Sequence, residues 1–350
     1  MGAFHTLRIK HIERVTVKSV AITFTVPQEL EEEFTFLAGQ YVTLKTTIDG
    51  EEVRRAYSIC SSPSSGKLTV SVKEVDQGTF SRYANQQLKE GDTLEVHAPE
   101  GKFTFTPNPE NDNAYAAFAA GSGITPILSI IKTVLTQERK SKFALVYGNK
   151  SPELTMFYED LLELQQEYKD RFFVDYVFSQ TNEENCLFGR IEKSTVNYML
   201  KNKFSAFDFT SYYLCGPKPM IDMVSEVLSD QGVGDSRIHF ELFTTNDVEG
   251  KVETDLDGQT SIKIIVDDEE SSFHMPKTST ILEAALDKEL DTPYSCQGGI
   301  CSSCIARIKE GSAEMKKNQI LTDSEVAEGL ILTCQAHPTS DTVVVDYDDV

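Results

Sequence analysis

The sequence predicts a multidomain chain: an antiparallel β-barrel, then an α/β unit built on a parallel sheet, then a compact α+β unit. Three observations predict it. Up to about Thr106, β-branched residues recur at period two between Gly, Pro and Asp punctuation; the middle of the chain alternates strands with helices; the remainder carries a hairpin, a helix and a loop rich in Gly and Cys. At 350 residues the chain is also too long for one ordinary domain.

The expected limits are 1–106 for the barrel, 107–243 for the α/β domain, 244–259 for a polar acidic linker and 260–350 for the α+β unit. In the first, the runs 15–20, 21–26, 41–46, 68–72 and 93–96 read as strands, and 82–88 as a helix. A Pro/Asn-rich break at 106–113 closes it. In the second, 115–120, 143–147, 172–178 and 212–215 read as buried strands, with helices at 127–137, 157–168 and 220–231. Strand, helix, strand, repeated, implies a parallel sheet with ligands at the carboxyl ends of its strands. In the third, strands at 262–266, 272–275 and 342–346 accompany a helix at 281–289.

Composition limits the function. A formal net charge of −22 argues against a nucleic-acid groove or an anionic membrane surface and favours a partner with a basic face. No apolar run reaches about 18 residues, so no membrane span is expected. The start of the chain is charged too early for a secretory signal; Gly2 with Thr6 fits the bare myristoylation pattern, although an ordinary chain start is the preferred reading. Seven cysteines without a signal point to a reducing compartment, so the expected location is the cytoplasm, with thiols serving metals or chemistry.

The cysteines give the strongest motif. Cys296-Gln-Gly-Gly-Ile-Cys301-Ser-Ser-Cys304 followed by Cys334 is C-x4-C-x2-C with a distant fourth thiol, the plant-type [2Fe–2S] spacing. Four thiolates must converge on two irons; Gly298 and Gly299 let the backbone approach, and loop amides are expected to donate to sulfur. The competing reading is zinc, but a four-Cys zinc site pairs two short knuckles, and here only Cys334 supplies the second half.

In the barrel, Arg55-Ala56-Tyr57-Ser58 puts a guanidinium and a ring on one face of a strand, suited to a phosphate and a flat cofactor. Gly78-Thr79-Phe80-Ser81 opens a helix whose free N–H groups suit a pyrophosphate. Taken singly, each motif reads by default as an ordinary element, a barrel strand that carries a stray Arg and Tyr. Gly121-Ser122-Gly123-Ile124-Thr125-Pro126 lies between strand and helix as a dinucleotide turn, with Thr125 expected as the cap and Pro126 as the first helical residue. Cys215-Gly216-Pro217 marks a second strand-to-helix junction, where the plain alternative for Cys215 is a buried core thiol.

Tyr294 to Cys304 with Cys334 resembles the plant-type ferredoxin family, which implies a β-grasp fold for the C-terminal domain. The other motifs resemble the ferredoxin–NADP reductase superfamily. That resemblance implies FAD or FMN, with FAD favoured: Arg55 on phosphate, Tyr57 stacked on the ring system, Ser58 near flavin N5, Val72 and Lys73 along the cofactor, and Ser81 capping the phosphates. It implies NAD(P)H at Gly121–Pro126 and Cys215–Pro217, with Ser58 and Cys215 as the catalytic pair and Phe243, in the tail 239–243, reaching the flavin edge; an apolar strand explains that tail equally. Gln180 stands after Ser179 where NADP-specific members place Arg, while Lys150 and Arg190 offer alternative charge for a 2′-phosphate, so NADPH and NADH both stay open. The domain order resembles reductase components of oxygenases, including the phenylacetyl-CoA epoxidase type. It implies hydride transfer from NAD(P)H to flavin and single electrons through the cluster to an acceptor protein. A general ferredoxin or quinone reductase and a non-catalytic redox sensor are the other readings. Residues 258–350 hold 17 acidic and 7 basic residues, which reads either as a docking surface for a basic acceptor or as an ordinary solvated face.

Overall fold

The computed structural model describes residues 4–243, 258–267, 269–288, 290, 292–294, 297–299, 301–318 and 320–350. Gly2, Cys296 and the expected linker up to residue 257 lie outside the described residues. The chain divides into two compact units, residues 4–244 and the C-terminal residues from 245 onward.

In the first unit, β1 (Phe4–Thr16), β2 (Ser19–Thr25), β3 (Tyr41–Ile48), β4 (Glu51–Ser58), β5 (Leu68–Lys73) and β6 (Thr93–His97) form an antiparallel sheet in the order β4-β3-β6-β1-β2-β5. The sheet curls until Ile59, just past one edge strand, bridges Val70 on the other. Side-chain alternation sends Leu7, Ile22, Leu44, Val70, Val72 and Val96 inward, all buried. Two ladder irregularities, between Ile9 and His11 and between Arg14 and Thr16, break the phase of β1 and hide it from a period-two reading. Residues 15–20, expected as one strand, instead cross a hairpin. Thr16 pairs with Ser19, the Lys18 N–H donates to the Thr16 hydroxyl (3.2 Å), and Val17 is left 75% exposed at the tip. The helix expected at 82–88 is α1 (Thr79–Gln86), which starts earlier because Gly78 takes the N-cap position. Phe80 and Ala84 of α1 are buried in the barrel core, and burial of the Phe80 ring contributes about 2–3 kcal/mol.

The same unit continues through β7 (Ala114–Ala120), α2 (Ile124–Gln137), β8 (Lys142–Asn149), α3 (Tyr158–Glu167), β9 (Phe172–Phe178), β10 (Leu187–Phe188), α4 (Lys193–Tyr198), β11 (Phe209–Gly216), α5 (Lys218–Asp230) and β12 (Ile238–Leu242). All these strands pair in parallel, in the order β10-β9-β8-β7-β11-β12. The order runs outward from β7 to β10 and then returns to β11 on the other side of β7. The ends of β7 and β11 therefore form the topological switch point, where ligands of such sheets bind. The helix expected at 127–137 begins three residues sooner: Gly121–Gly123 forms a 3-10 turn and Gly123 is the N-cap. Thr125 is thus not the cap; lying inside the first turn, its hydroxyl donates back to the Ser122 carbonyl (3.0 Å), and Pro126 is the third helical residue.

Barrel and parallel sheet share one core, in which Ala38, Cys60, Phe103 and Phe105 pack with Tyr213, Cys215 and α2. The buried Ser129 hydroxyl of α2 donates to the Ser61 carbonyl beyond β4 (2.6 Å). The Pro/Asn-rich seam is clamped rather than loose. Fully buried Glu138, at the end of α2, accepts from the Asn108 N–H, the Asn111 amide and the Tyr115 hydroxyl, each at 2.9 Å.

The second unit is a mixed sheet of β13 (Gln259–Val266), β14 (Glu269–Pro276), β15 (Ile305–Glu310), β17 (Leu330–Leu332) and β19 (Thr342–Asp346), in the order β14-β13-β19-β15-β17, with a small pair β16 (Ala313–Met315) and β18 (Ala336–Pro338). Helix α6 (Ile281–Asp287) buries Ile281, Leu282, Ala284 and Ala285 in the cores of this unit. It is opened by a capping box in which the Thr280 hydroxyl accepts from the Glu283 N–H and the Glu283 carboxylate from the Thr280 N–H. A second box, Thr322 with Glu325, opens α7 (Asp323–Ala327).

Candidate flavin, nucleotide and cluster sites

On β4, alternation exposes Arg55, half-buries Tyr57 and leaves Ser58 buried at the strand end. The Arg55 guanidinium bears on the Tyr57 hydroxyl, yet burial dominates and pushes that phenol well up, so Tyr57 is a neutral ring at any working pH. Phe80 supports the Tyr57 ring from α1, with centroids 5.4 Å apart. Ala56, between them, is half-buried. Val72 is buried in the barrel core and its carbonyl accepts from the Asn85 amide (3.1 Å), which fixes the end of β5 beside Lys73. At α1 the N–H groups of Thr79, Phe80 and Ser81 occupy the first turn, which has no intrahelical acceptors. A Cβ on Gly78 would overlap the Ser81 hydroxyl, which accepts from the Val75 N–H (3.1 Å) and holds the approach to that turn.

The two strand-to-helix turns are locked together. A Cβ on Gly123 would overlap the Cys215 carbonyl oxygen, and one on Gly216 would lie 3.1 Å from the Ala120 Cβ. Glycine at both positions therefore lets the β7 and β11 turns close on each other, and Pro217 follows at the N-cap of α5. Cys215 is fully buried; burial, reinforced by the Glu241 carboxylate, keeps its thiol far above the usual range and therefore protonated. Glu241 of β12 pairs in register with Cys215, and the Ser58 hydroxyl donates to its Oε2 (3.4 Å). Ser58, Cys215 and Glu241 thus converge from three strands. Glu241 escaped the sequence reading because its partner is 183 residues away; the only signal was its place in the tail 239–243. Phe243, just past β12, packs half-buried against the shared core.

Lys73, at the end of β5, turns its ammonium toward the nucleotide turn, 3.5 Å from where a Cβ on Gly121 would lie. Burial, with Lys150 and Lys18 nearby, holds that ammonium below its usual range. Lys150 follows β8, and its carbonyl accepts from the Gln180 N–H (2.9 Å), so it stands next to the end of β9; Arg190 lies two residues past β10, exposed.

In the C-terminal unit Cys301, Cys304 and Cys334 are buried, while Cys296 lies outside the described residues. The Cys304 and Cys334 sulfurs share a hydrogen bond, which raises Cys304 and lowers Cys334, and the Gly299 N–H donates to the Cys334 sulfur. Cys301 is close enough to act on both. The loop is laced to the Cys334 turn. The Thr333 N–H and hydroxyl both donate to the Cys304 carbonyl (3.0 Å), and the Gln335 amide donates to the Gln297 carbonyl (3.0 Å). Gln297 and Gly299 take left-handed conformations, φ 51° and 70°. Among the described residues no three His, Cys, Asp or Glu side chains gather as closely as a single ion requires. The buried thiols Cys301 and Cys304 on one loop, laced to Cys334 on a distant turn, are the donor set of a [2Fe–2S] cluster rather than of a two-knuckle zinc site.

A curled flavin-type barrel joined at a switch-point crevice to a parallel sheet, with a thiol cage in a separate unit, defines an iron–sulfur flavoprotein that takes electrons from a pyridine nucleotide. The comparisons agree. Family models match for an oxidoreductase FAD-binding domain at residues 6–105, an oxidoreductase NAD-binding domain at 118–226 and a 2Fe-2S iron-sulfur cluster binding domain at 264–339. The chain is 40% identical to one of the subunits of 1,2-phenylacetyl-CoA epoxidase of Escherichia coli K12, over 99% of both chains. It is 31% identical to the ferredoxin reductase component of 3-ketosteroid-9-alpha-monooxygenase of Rhodococcus rhodochrous, over 97% of this chain and 96% of that one. Among solved structures, phthalate dioxygenase reductase shares the fold over 98% of each chain, with TM-score 0.62 and 23% identity. An intact type IV self-sufficient cytochrome P450 monooxygenase does so with TM-score 0.69 and 20% identity, over 98% of this chain and 41% of that one. The chain belongs to the family of FAD- and [2Fe–2S]-containing reductase components of oxygenases. No described helix is long and apolar enough to cross a membrane.

Proposed function

We propose that this reductase draws electrons from NAD(P)H and passes them one at a time to an oxygenase of the phenylacetyl-CoA epoxidase type, in the cytoplasm. The carrying observation is the convergence of Ser58, Cys215 and Glu241 where the two glycine turns meet. Bound flavin accepts a hydride and releases single electrons, which is the chemistry the cofactor supplies.

The chain's own residues do the rest. Arg55 offers a guanidinium to a flavin phosphate, Tyr57 a ring backed by Phe80, and the first turn of α1 (Thr79 to Ser81, after Gly78) its N–H groups. The turns Gly121 to Pro126 and Cys215 to Pro217 receive the pyridine nucleotide, with Lys73 and Lys150 facing its phosphates. The Ser58 hydroxyl is oriented by Glu241, and the protonated Cys215 packs without ionising. Cys296, Cys301, Cys304 and Cys334 would hold the cluster, which would supply one-electron transfer to the acceptor. The working domain limits are 1–106, 107–243 and 260–350, joined by 244–259. The 40% identity over nearly the full length of the epoxidase relative supports the choice of acceptor.

The test is reconstitution. The purified protein is mixed with the oxygenase components of a phenylacetyl-CoA epoxidase or with a ketosteroid monooxygenase, and nucleotide oxidation coupled to product is followed. Coupled turnover with the first alone supports the proposal; coupling only to the second, or to a quinone alone, contradicts it.

A further inference from the structure

Behind the glycine turn lies a tyrosine that no motif signals. Tyr147 is on β8, in register with Ala119 and so two residues short of Gly121, and is fully buried. Its hydroxyl reaches two carbonyls, Gly121 at 2.8 Å and Met156 at 3.4 Å. A phenol carries one proton, and the shorter, better contact takes it, so Tyr147 donates to Gly121.

This bond has a directional consequence. The Gly121–Ser122 peptide is planar and trans, so its C=O and N–H point opposite ways. Drawing the carbonyl inward to Tyr147 turns the Ser122 N–H away from the core. Gly121 accommodates this with φ 56°, a left-handed value, and its Cα is faced by the Lys73 ammonium of the barrel. We propose that Tyr147 is a positioning residue for the pyridine nucleotide: its hydroxyl holds the Gly121 carbonyl inward so that the Ser122 N–H is presented, beside Lys73, to the nucleotide's phosphates. The inference rests on the reading of Gly121 to Pro126 as the nucleotide turn. Without the hydroxyl, the Gly121 carbonyl keeps only the Ile124 N–H of the 3-10 turn, and the peptide, now held from one side, presents the Ser122 N–H less firmly to the ligand.

Tyr176 supplies the internal control. It lies on the neighbouring strand, 6.4 Å from Tyr147 between ring centroids, and its buried hydroxyl has no partner among the described residues. The experiment compares Tyr147→Phe and Tyr176→Phe as full-length holoproteins. It measures KM for NADH and NADPH with ferricyanide as acceptor, the Kd of the oxidised nucleotides per bound flavin, and thermal stability. Tyr147→Phe is expected to raise KM and Kd about three- to tenfold, the loss of one buried hydrogen bond, with kcat changed much less. Tyr176→Phe is expected to keep both constants at the wild-type values. Wild-type KM and Kd in Tyr147→Phe would overturn the proposal even if its melting temperature falls, as would a Tyr147→Phe protein that cannot load flavin, since the hydroxyl would then be holding the fold. If the wild-type flavin is itself not reduced by either nucleotide, the failure belongs to the nucleotide-turn reading instead.

Discussion

Gly123→Ala strikes the point where the two halves of the flavin–nucleotide unit meet. The added methyl would overlap the Cys215 carbonyl oxygen and lie 2.5 Å from its carbon and 2.9 Å from the Gly216 nitrogen. All three are backbone atoms at the end of β11, a strand hydrogen-bonded on both sides by β7 and β12, so they cannot swing aside as a side chain would. Restoring carbon contacts to about 3.5 Å requires the start of α2 to retreat by roughly 1 Å. Overpacking of this kind costs about 1–3 kcal/mol, which in a unit of this size lowers Tm by roughly 3–10 °C. The effect on chemistry is larger, because a displacement of about 1 Å at a reacting site costs on the order of a hundredfold in rate. Anaerobic stopped-flow measurement of flavin reduction by NAD(P)H, alongside a thermal melt, separates the two effects. A variant that reduces its flavin within about threefold of the wild-type rate would refute the claim that the Gly123–Cys215 packing sets the geometry.

Other expectations follow from the same contacts. Glu138→Ala leaves a buried phenol and two part-exposed amide donors without their acceptor and should cost about 1–3 kcal/mol, read by urea denaturation, with little change in flavin reduction. Glu241→Gln weakens the charge-assisted bond from Ser58 and should slow hydride transfer about tenfold without loss of flavin, checked by single-turnover kinetics. Cys301→Ser should remove iron while NAD(P)H still reduces the flavin; loss of both would contradict the modular organisation. Burial pushes Cys60 up to about 12 and Cys215 well up, so above about pH 9 the unfolded thiols release protons that the folded ones keep. Stability must then fall as pH rises, by about 1.4 kcal/mol per pH unit for each thiol, and Cys60→Ala should reduce that slope by one thiol's share.

The sequence disclosed the chemistry more readily than the backbone that carries it. The cysteine spacing is a local code, since three ligands come from one loop, and the glycine motifs sit where a strand must turn into a helix. Strand β1 stayed hidden because its ladder irregularities shift the inward phase midway. Val17 misled in the other direction, an apolar residue at a hairpin tip that completed a false run. The Pro/Asn seam has the composition of a linker, but Glu138, a lone carboxylate at a helix end, gathers it into the core. Glu241 and Tyr147 could not be read in advance. Each acts on a residue brought near only by the parallel sheet, and nothing in their immediate neighbours marks them.

The most direct test is anaerobic mixing of the purified holoprotein with one equivalent of NAD(P)H, with flavin absorbance and the paramagnetic signal of the reduced iron pair followed together. The account predicts that flavin bleaching comes first and that the iron–sulfur signal then grows as flavin colour partly returns. A protein that contains flavin and iron, whose flavin bleaches while the iron–sulfur signal never appears, would contradict it.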